Sequence, residues 1–183
     1  MDIKELIFSC LQDDPKAQKQ FYDLTCDKVM ATCKRYSKDH EEARDFFQES
    51  YIRIFKSLNT FQIEKGNILA WVYTITRNVV FDKLRNKKVN FVELTTEAEN
   101  LEYNVEQFDT LLPTEIESEI QKMPDGYRTI LNLFVFEEQS HAEIAKILNI
   151  SESTSRSQYL RAKNYLKKNL ETIYSKRYEK YIV

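Results

Sequence analysis

The stretch from Ser140 to Lys168 reads as a helix-turn-helix, and no other part of the chain is so tightly constrained by its own residues. Ser140-His141-Ala142-Glu143 is a capping box. The Ser140 hydroxyl can accept from the Glu143 amide, and the Glu143 carboxylate can reach back to the Ser140 amide. The run Ile144-Ala145-Lys146-Ile147-Leu148 follows, and Asn149-Ile150-Ser151 interrupts it. Asparagine tolerates the left-handed backbone that a tight turn demands. Ser151 suits the N-cap of the next helix, and the small Ala145 allows the two helices to approach closely.

The second helix of this pair is long, and its charge is arranged by face. At about 100° per residue, Ser155, Tyr159, Ala162 and Leu166 fall on a stripe facing the preceding helix. Thr154, Ser157, Gln158, Arg161 and Lys168 are expected on the opposite side, with Arg156, Lys163 and Lys167 as a flanking basic row. Hydroxyl, amide and guanidinium groups suit base edges, and lysines suit phosphates. A solvated amphipathic helix would share the charge pattern. Caps, turn, small residue and one-sided basic surface together favour a DNA-binding element.

Composition supports an all-α chain. Its 183 residues are 42% hydrophobic, enough to bury a core, and contain only 2 Gly and 3 Pro to break long runs. No run of about 18 apolar residues is present. The start, Met1-Asp2-Ile3-Lys4-Glu5, lacks the charged-then-apolar pattern of a signal peptide. The expectation is a cytoplasmic chain without membrane insertion. Cys10, Cys26 and Cys33 form no CxxC pair, and an odd count argues against a disulfide framework. Cys26 and Cys33 share a helix face and read as small core residues. His40 and His141 are isolated, so neither a metal site nor a cofactor is expected.

The formal net charge of -2 conceals a segregated distribution. Arg77, Lys83, Arg85, Lys87 and Lys88 face only Asp82 within their segment, and after Ser151 the basic residues outnumber the acidic ones. Between them lie Glu93, Glu97, Glu99, Glu102, Glu106, Asp109, Glu115, Glu117 and Glu119. Local field, not net charge, steers a protein to DNA. The pattern suggests two basic contact regions joined by an acidic linker.

The expected organisation is two helical domains, 1–88 and 113–183, joined by a flexible linker over 89–112 that has no sustained periodicity. The first domain should hold helices from Asp2 to near Asp13, from Pro15 to about Ser37, from about Glu41 to Leu58, and from about Asn67 to Asn86. The second helix should bury Phe21, Leu24, Val29 and Cys33. The second domain should hold Thr114–Lys122, a helix from about Pro124 to Glu137, and the helix-turn-helix, with a tail that frays after Glu171.

Two helices of the first domain carry further patterns. In the third, Phe47, Tyr51, Ile54 and Leu58 are expected to be buried, and Asp45, Glu49, Arg53 and Lys56 to point away. Ile52 points away with them. An outward aliphatic ringed by charges is either tolerated surface or the centre of a protein-binding face. In the fourth, Ile68, Val72, Ile75 and Val79 make a core stripe, while Trp71, Thr74, Asn78, Phe81 and Arg85 run along a neighbouring face. Aromatics interleaved with amide and guanidinium groups suit single-stranded nucleic acid, although Trp71 and Phe81 would also serve as core rim.

Taken together these residues resemble the sigma-70 family of bacterial transcription initiation factors, specifically its small extracytoplasmic-function group. Glu42-Ala43-Arg44-Asp45-Phe46-Phe47-Gln48-Glu49-Ser50-Tyr51-Ile52-Arg53-Ile54-Phe55 is similar to the family's region 2.2. Ile68-Leu69-Ala70-Trp71-Val72-Tyr73-Thr74-Ile75-Thr76-Arg77-Asn78, continuing through Asp82-Lys83-Leu84-Arg85, is similar to regions 2.3 and 2.4. Met123-Pro124-Asp125-Gly126-Tyr127-Arg128 through Leu166 is similar to region 4. The blocks occur in the family's order, with a variable linker where the family has one. Ser155 stands where many members carry Val, Gln158 where Arg is common, Leu160 where His or Arg is common, and Asn149 where Gly is frequent.

The resemblance implies a sigma factor, not an enzyme, that binds core RNA polymerase and directs promoter-specific transcription initiation. It implies docking of Asp45, Gln48, Glu49, Ile52 and Lys56 on the β′ clamp helices, and of the second domain on the flap of β. It implies −10 recognition through the loop from Phe61 to Asn67 and through Trp71, Thr74, Arg77, Asn78, Phe81 and Arg85. It also implies −35 recognition through Thr154, Arg156, Ser157, Gln158, Arg161, Lys163, Lys167 and Lys168. Most of the group have an anti-sigma partner, which is encoded elsewhere. A stand-alone helix-turn-helix regulator is the alternative and would need a dimer interface and a palindromic site. A helical enzyme acting on nucleic acid would need clustered carboxylates or His/Cys ligands near the basic face, and Asp82 alone is no such cluster. An interaction adaptor would show no salt-dependent DNA binding.

Overall fold

The computed structural model describes residues 2–86 and 112–179. Apart from Leu112, the expected 89–112 linker lies outside the described residues, as do Lys87 and Lys88. The chain divides into two compact units, Met1–Lys87 and Lys88–Val183. Every regular element among the described residues is helical.

The first unit holds α1 (Ile3–Leu11), α2 (Pro15–Tyr36), α3 (His40–Ser57) and α4 (Ile68–Asn86). Local chemistry sets their starts. The Asp14 carboxylate accepts from the Lys16 amide at 2.9 Å, and Pro15 occupies the first helical position. Asp39 accepts from the Glu42 amide at 2.8 Å, and Glu42 accepts from the Lys38 amide at 2.8 Å. Helices α2, α3 and α4 pack on one another. Phe21, Val29, Cys33 and Tyr36 of α2 meet Phe46 and Ile54 of α3 and Val72, Val79 and Val80 of α4 in the core.

Several positions differ from the expected stripes. Leu24 is 48% exposed, while Thr25 is fully buried in its place. The α2 face follows an i, i+4 line through Ala17, Phe21, Thr25 and Val29. The Thr25 hydroxyl is satisfied there by the Phe21 carbonyl at 2.8 Å and the Tyr51 hydroxyl at 2.8 Å. A buried polar group that keeps its hydrogen bonds costs little. Burial pushes the Tyr51 phenol up to about 12 and the Cys33 thiol up to about 12. Cys26 is only half-buried. In α3 the fully packed aromatic is Phe46 and Phe47 is half-buried. In α4 Thr76 is buried and Ile75 half-buried.

The second unit holds α5 (Pro113–Gln121), α6 (Asp125–Leu131) continuing as a π-helical turn over Asn132–Phe136, α7 (His141–Leu148) and α8 (Glu152–Glu179). Arg128, fully buried, ties α5 to α6. It donates to the Gln121 carbonyl at 2.9 Å and the Met123 carbonyl at 2.7 Å, and pairs with Asp125. The carbonyls at the end of α5 would otherwise lack partners. The expected fraying after Glu171 is corrected: α8 continues to Glu179. Arg177 pairs with Glu115 on α5, anchoring the end of α8 to the unit.

Candidate nucleic-acid interface

The turn between α7 and α8 is built as its residues dictate. The Ser140 hydroxyl accepts from the Glu143 amide at 3.3 Å, and the Glu143 carboxylate accepts from the Ser140 amide at 2.8 Å. The Ser140 hydroxyl also donates to that carboxylate at 2.7 Å, and this bond, with the one from the Ser140 amide, holds the Glu143 carboxyl below its ordinary value. Asn149 adopts the left-handed conformation, φ 56° and ψ 50°. The Ile150 amide donates back to the Ala145 carbonyl at 3.0 Å, closing the end of α7. Ser151 caps α8 by accepting from the Thr154 amide at 3.0 Å.

The rotation of α8 departs from expectation. Ser155 and Ala162 are fully buried, but so in effect are Gln158 at 2% and Thr154 at 4% exposure. Thr154 and Gln158 therefore do not lie on an outward face. Their hydroxyl and amide are turned toward the body of the unit, and the Thr154 hydroxyl meets that of Ser151 at 2.7 Å. The reason is that α5, α6 and α7 all pack on α8, so the covered arc is wider than α7 alone would make it. Arg156 and Lys168 are exposed, and Ser157, Arg161, Lys163 and Lys167 are half-buried. The outward arc also carries Ser153, Leu160 and Asn164, to which the helical pattern assigns no face. A wheel centred on the buried Ser155, Gln158 and Ala162 would have found them.

His141, at the first position of α7, faces the same helix. Its Nδ1 meets the Ser155 hydroxyl at 2.9 Å. Its ring stacks on Phe134 at 4.6 Å, and Phe134 lies 4.4 Å from Tyr159. Burial, helped by the Arg156 charge, lowers the His141 pKa below its ordinary 6.5.

In the first unit, the Phe61–Asn67 loop and α4 form an open pocket of about 410 Å³. Its walls include Phe61, Gln62, Asn67, Trp71 and Thr74. The Phe61 and Trp71 rings are 5.5 Å apart. Asn78 is exposed one turn beyond Thr74 on the same helix. Phe81 is corrected: it is 3% exposed and packs edge-on against Tyr36, centroids 5.2 Å apart, because the end of α2 covers this part of α4. Arg77 is half-buried, its guanidinium 5.9 Å from the Tyr73 ring. Arg85 is exposed and pairs with Asp82.

On α3, Asp45, Gln48, Ile52 and Lys56 are exposed, Ile52 by 50%. Glu49 is half-buried and pairs with Lys83 at 3.8 Å. Arg53 does not simply point away. Its guanidinium donates to the Asp82 carboxylate at 2.7 Å, linking α3 to α4. That bond is the main reason the Asp82 carboxyl sits below its ordinary value. No helix among the described residues is long and apolar enough to cross a membrane.

One unit carries a capped helix-turn-helix with an outward basic face and the other an aromatic-walled pocket, the features of a nucleic-acid-binding protein. Residues 21–89 match Sigma-70 region 2 and residues 114–166 match Sigma-70, region 4. The ECF RNA polymerase sigma factor SigW of Bacillus subtilis is 30% identical, over 94% of this chain and 99% of that protein. The ECF RNA polymerase sigma factor SigE of Mycolicibacterium smegmatis is 27% identical, over 77% of this chain and 56% of that protein. A solved structure of the sigma factor RpoE with the anti-sigma factor NepR from Bartonella quintana aligns with a TM-score of 0.49 at 21% identity, covering 85% of this chain and 98% of that one. The chain belongs to the extracytoplasmic-function sigma factors of the sigma-70 family, which direct transcription initiation by RNA polymerase.

Proposed function

We propose that the two units divide promoter recognition between them. The second unit sets register by placing the outward arc of α8 in the major groove of the −35 element, with Arg156, Ser157 and Arg161 toward base edges and Lys163, Lys167 and Lys168 toward phosphates. The first unit captures bases of the melted −10 element. Phe61 and Trp71 supply rings on which a base stacks, worth roughly 1–3 kcal/mol per base, and Asn67, Thr74 and Asn78 supply groups that donate and accept. Base capture offsets part of the unstacking cost of a few kcal/mol. The α3 face around Ile52 docks on core polymerase. The chain acts in the cytoplasm and performs no chemistry itself; the polymerase does.

The observation that carries this reading is the pairing of a completed helix-turn-helix with an open aromatic pocket on a separate unit. A stand-alone repressor has no use for the second feature. Run-off transcription with core polymerase on genomic fragments tests it. The expected result is discrete start sites that need both the chain and core. Tight sequence-specific duplex binding by the chain alone, with no effect on core, would favour the stand-alone regulator.

A further inference from the structure

Leu160 occupies the centre of the surface that α8 turns away from its own domain. The buried stripe of α8 runs through Ser155, Gln158 and Ala162. At about 100° per residue, the direction opposite that stripe falls on Leu160. Its neighbours one turn away are Arg156, Ser157, Lys163 and Asn164. The apolar cluster around Ile120, Met123, Leu131 and Ala162 draws Tyr159, Tyr165 and Leu166 from the other side of the helix. Leu160, an aliphatic side chain at the centre of this polar, basic arc, is half-buried and is not among the residues packed on that cluster.

In the major groove a leucine can neither donate to nor accept from a base. One base edge there offers an apolar group: thymine, through its C5 methyl. A leucine set against guanine, cytosine or adenine instead desolvates polar edges without replacing their hydrogen bonds. We propose that Leu160 is a specificity-determining residue that packs on the C5 methyl of one thymine in the −35 element. This rests on the reading that α8 enters the major groove. Leu160 follows Arg156 by four residues, about 6 Å along the helix, so the thymine lies within about two base-pair steps of the base facing Arg156.

The experiment uses holoenzyme reconstituted with core polymerase and duplexes recovered from a library randomised across the −35 element. The parent is expected to enrich thymine at one position. Replacing that thymine with deoxyuridine, which removes only the methyl, should weaken binding about three- to fourfold, the worth of one buried carbon. Leu160→Ala should bind the two duplexes alike, and Leu160→Arg should move the preference at that position toward guanine. Equal binding of thymine and deoxyuridine duplexes by the parent at every position would overturn the proposal without any variant. So would a Leu160→Ala holoenzyme that still distinguishes them. Arg156→Ala separates the two levels. If it alters base preference while Leu160→Ala does not, only the role of Leu160 fails. If neither alters it, placement of this arc in the groove fails as well.

Discussion

The Nδ1 of His141 and the hydroxyl of Ser155, 2.9 Å apart, join the two helices of the helix-turn-helix. Ser155 is fully buried, so either partner's loss leaves a polar atom short of a bond, at a cost of about 1–3 kcal/mol. His141→Ala also loses the stack on Phe134 and should cost more than Ser155→Ala. In a double-mutant cycle the pair should couple by about 0.5–3 kcal/mol. Trp71 is the sole tryptophan and lies in the first unit. These variants should lower the circular-dichroism transition and leave the Trp71 fluorescence transition in place. Equal shifts in both would contradict the separation of the two units.

The same histidine sets a pH dependence. Its folded pKa lies below the ordinary 6.5, so the unfolded chain takes up the proton first as pH falls. The contribution is therefore complete above pH 6.5 and is lost as pH drops from there toward the lowered folded value. The stability difference between parent and His141→Gln should narrow over that window. Carboxylates common to both proteins cancel in the comparison. A difference that stayed constant from about pH 7.5 to about pH 5.5 would place the His141 ring in a solvated setting.

Arg128 should be the most sensitive position of the second unit. Its planar fork serves two carbonyls and a carboxylate at once, a geometry that lysine cannot reproduce. Arg128→Lys should destabilise by about 1–3 kcal/mol and Arg128→Ala by more, since buried acceptors lose their donor. Urea denaturation read by circular dichroism checks the order. Arg128→Lys at parental stability would show that a single donor suffices.

Gln158→Ala should change stability and leave promoter choice alone, because the side chain is buried. Arg156→Ala should relax base choice at one −35 position at a cost of roughly 1–3 kcal/mol, and Lys167→Ala should weaken all sequences and lower the salt slope by about one. Holoenzyme binding to single-base promoter variants at several salt concentrations distinguishes these. A Gln158→Ala holoenzyme with altered base preference would mean that α8 rotates on binding DNA.

Ile52→Asp should weaken association with core polymerase by at least tenfold with an unchanged unfolding transition, since Ile52 is 50% exposed and a buried charge at an interface centre is costly. Competition against labelled parent for core measures it. Parental affinity would move the docking face elsewhere on the unit.

Asn78→Ala should leave closed-complex affinity nearly intact and reduce open complex, seen as lost permanganate reactivity of unpaired thymines. Its amide is exposed beyond the aromatic pocket, where a melted base edge needs both a donor and an acceptor. Arg85→Ala should weaken both complexes and reduce salt sensitivity. Parental opening by Asn78→Ala would confine base capture to the pocket of Phe61, Asn67, Trp71 and Thr74.

By itself the sequence determined what local bonds determine. Asp14, Asp39, Ser140 and Ser151 start helices with their own oxygens, and Asn149 turns the chain without help from distant residues. The order of the helices and the helix-turn-helix were legible for that reason. Tertiary structure decided which side of each helix is covered. Thr154 and Gln158 went inward because several helices flank α8, Phe81 was covered by Tyr36 from α2, and Arg53 found Asp82 across the α3–α4 interface. A capping bond reaches two or three residues along the chain and is fixed by them. Burial is fixed by whichever neighbour arrives from elsewhere in the chain, and helical periodicity carries no record of how wide that neighbour is.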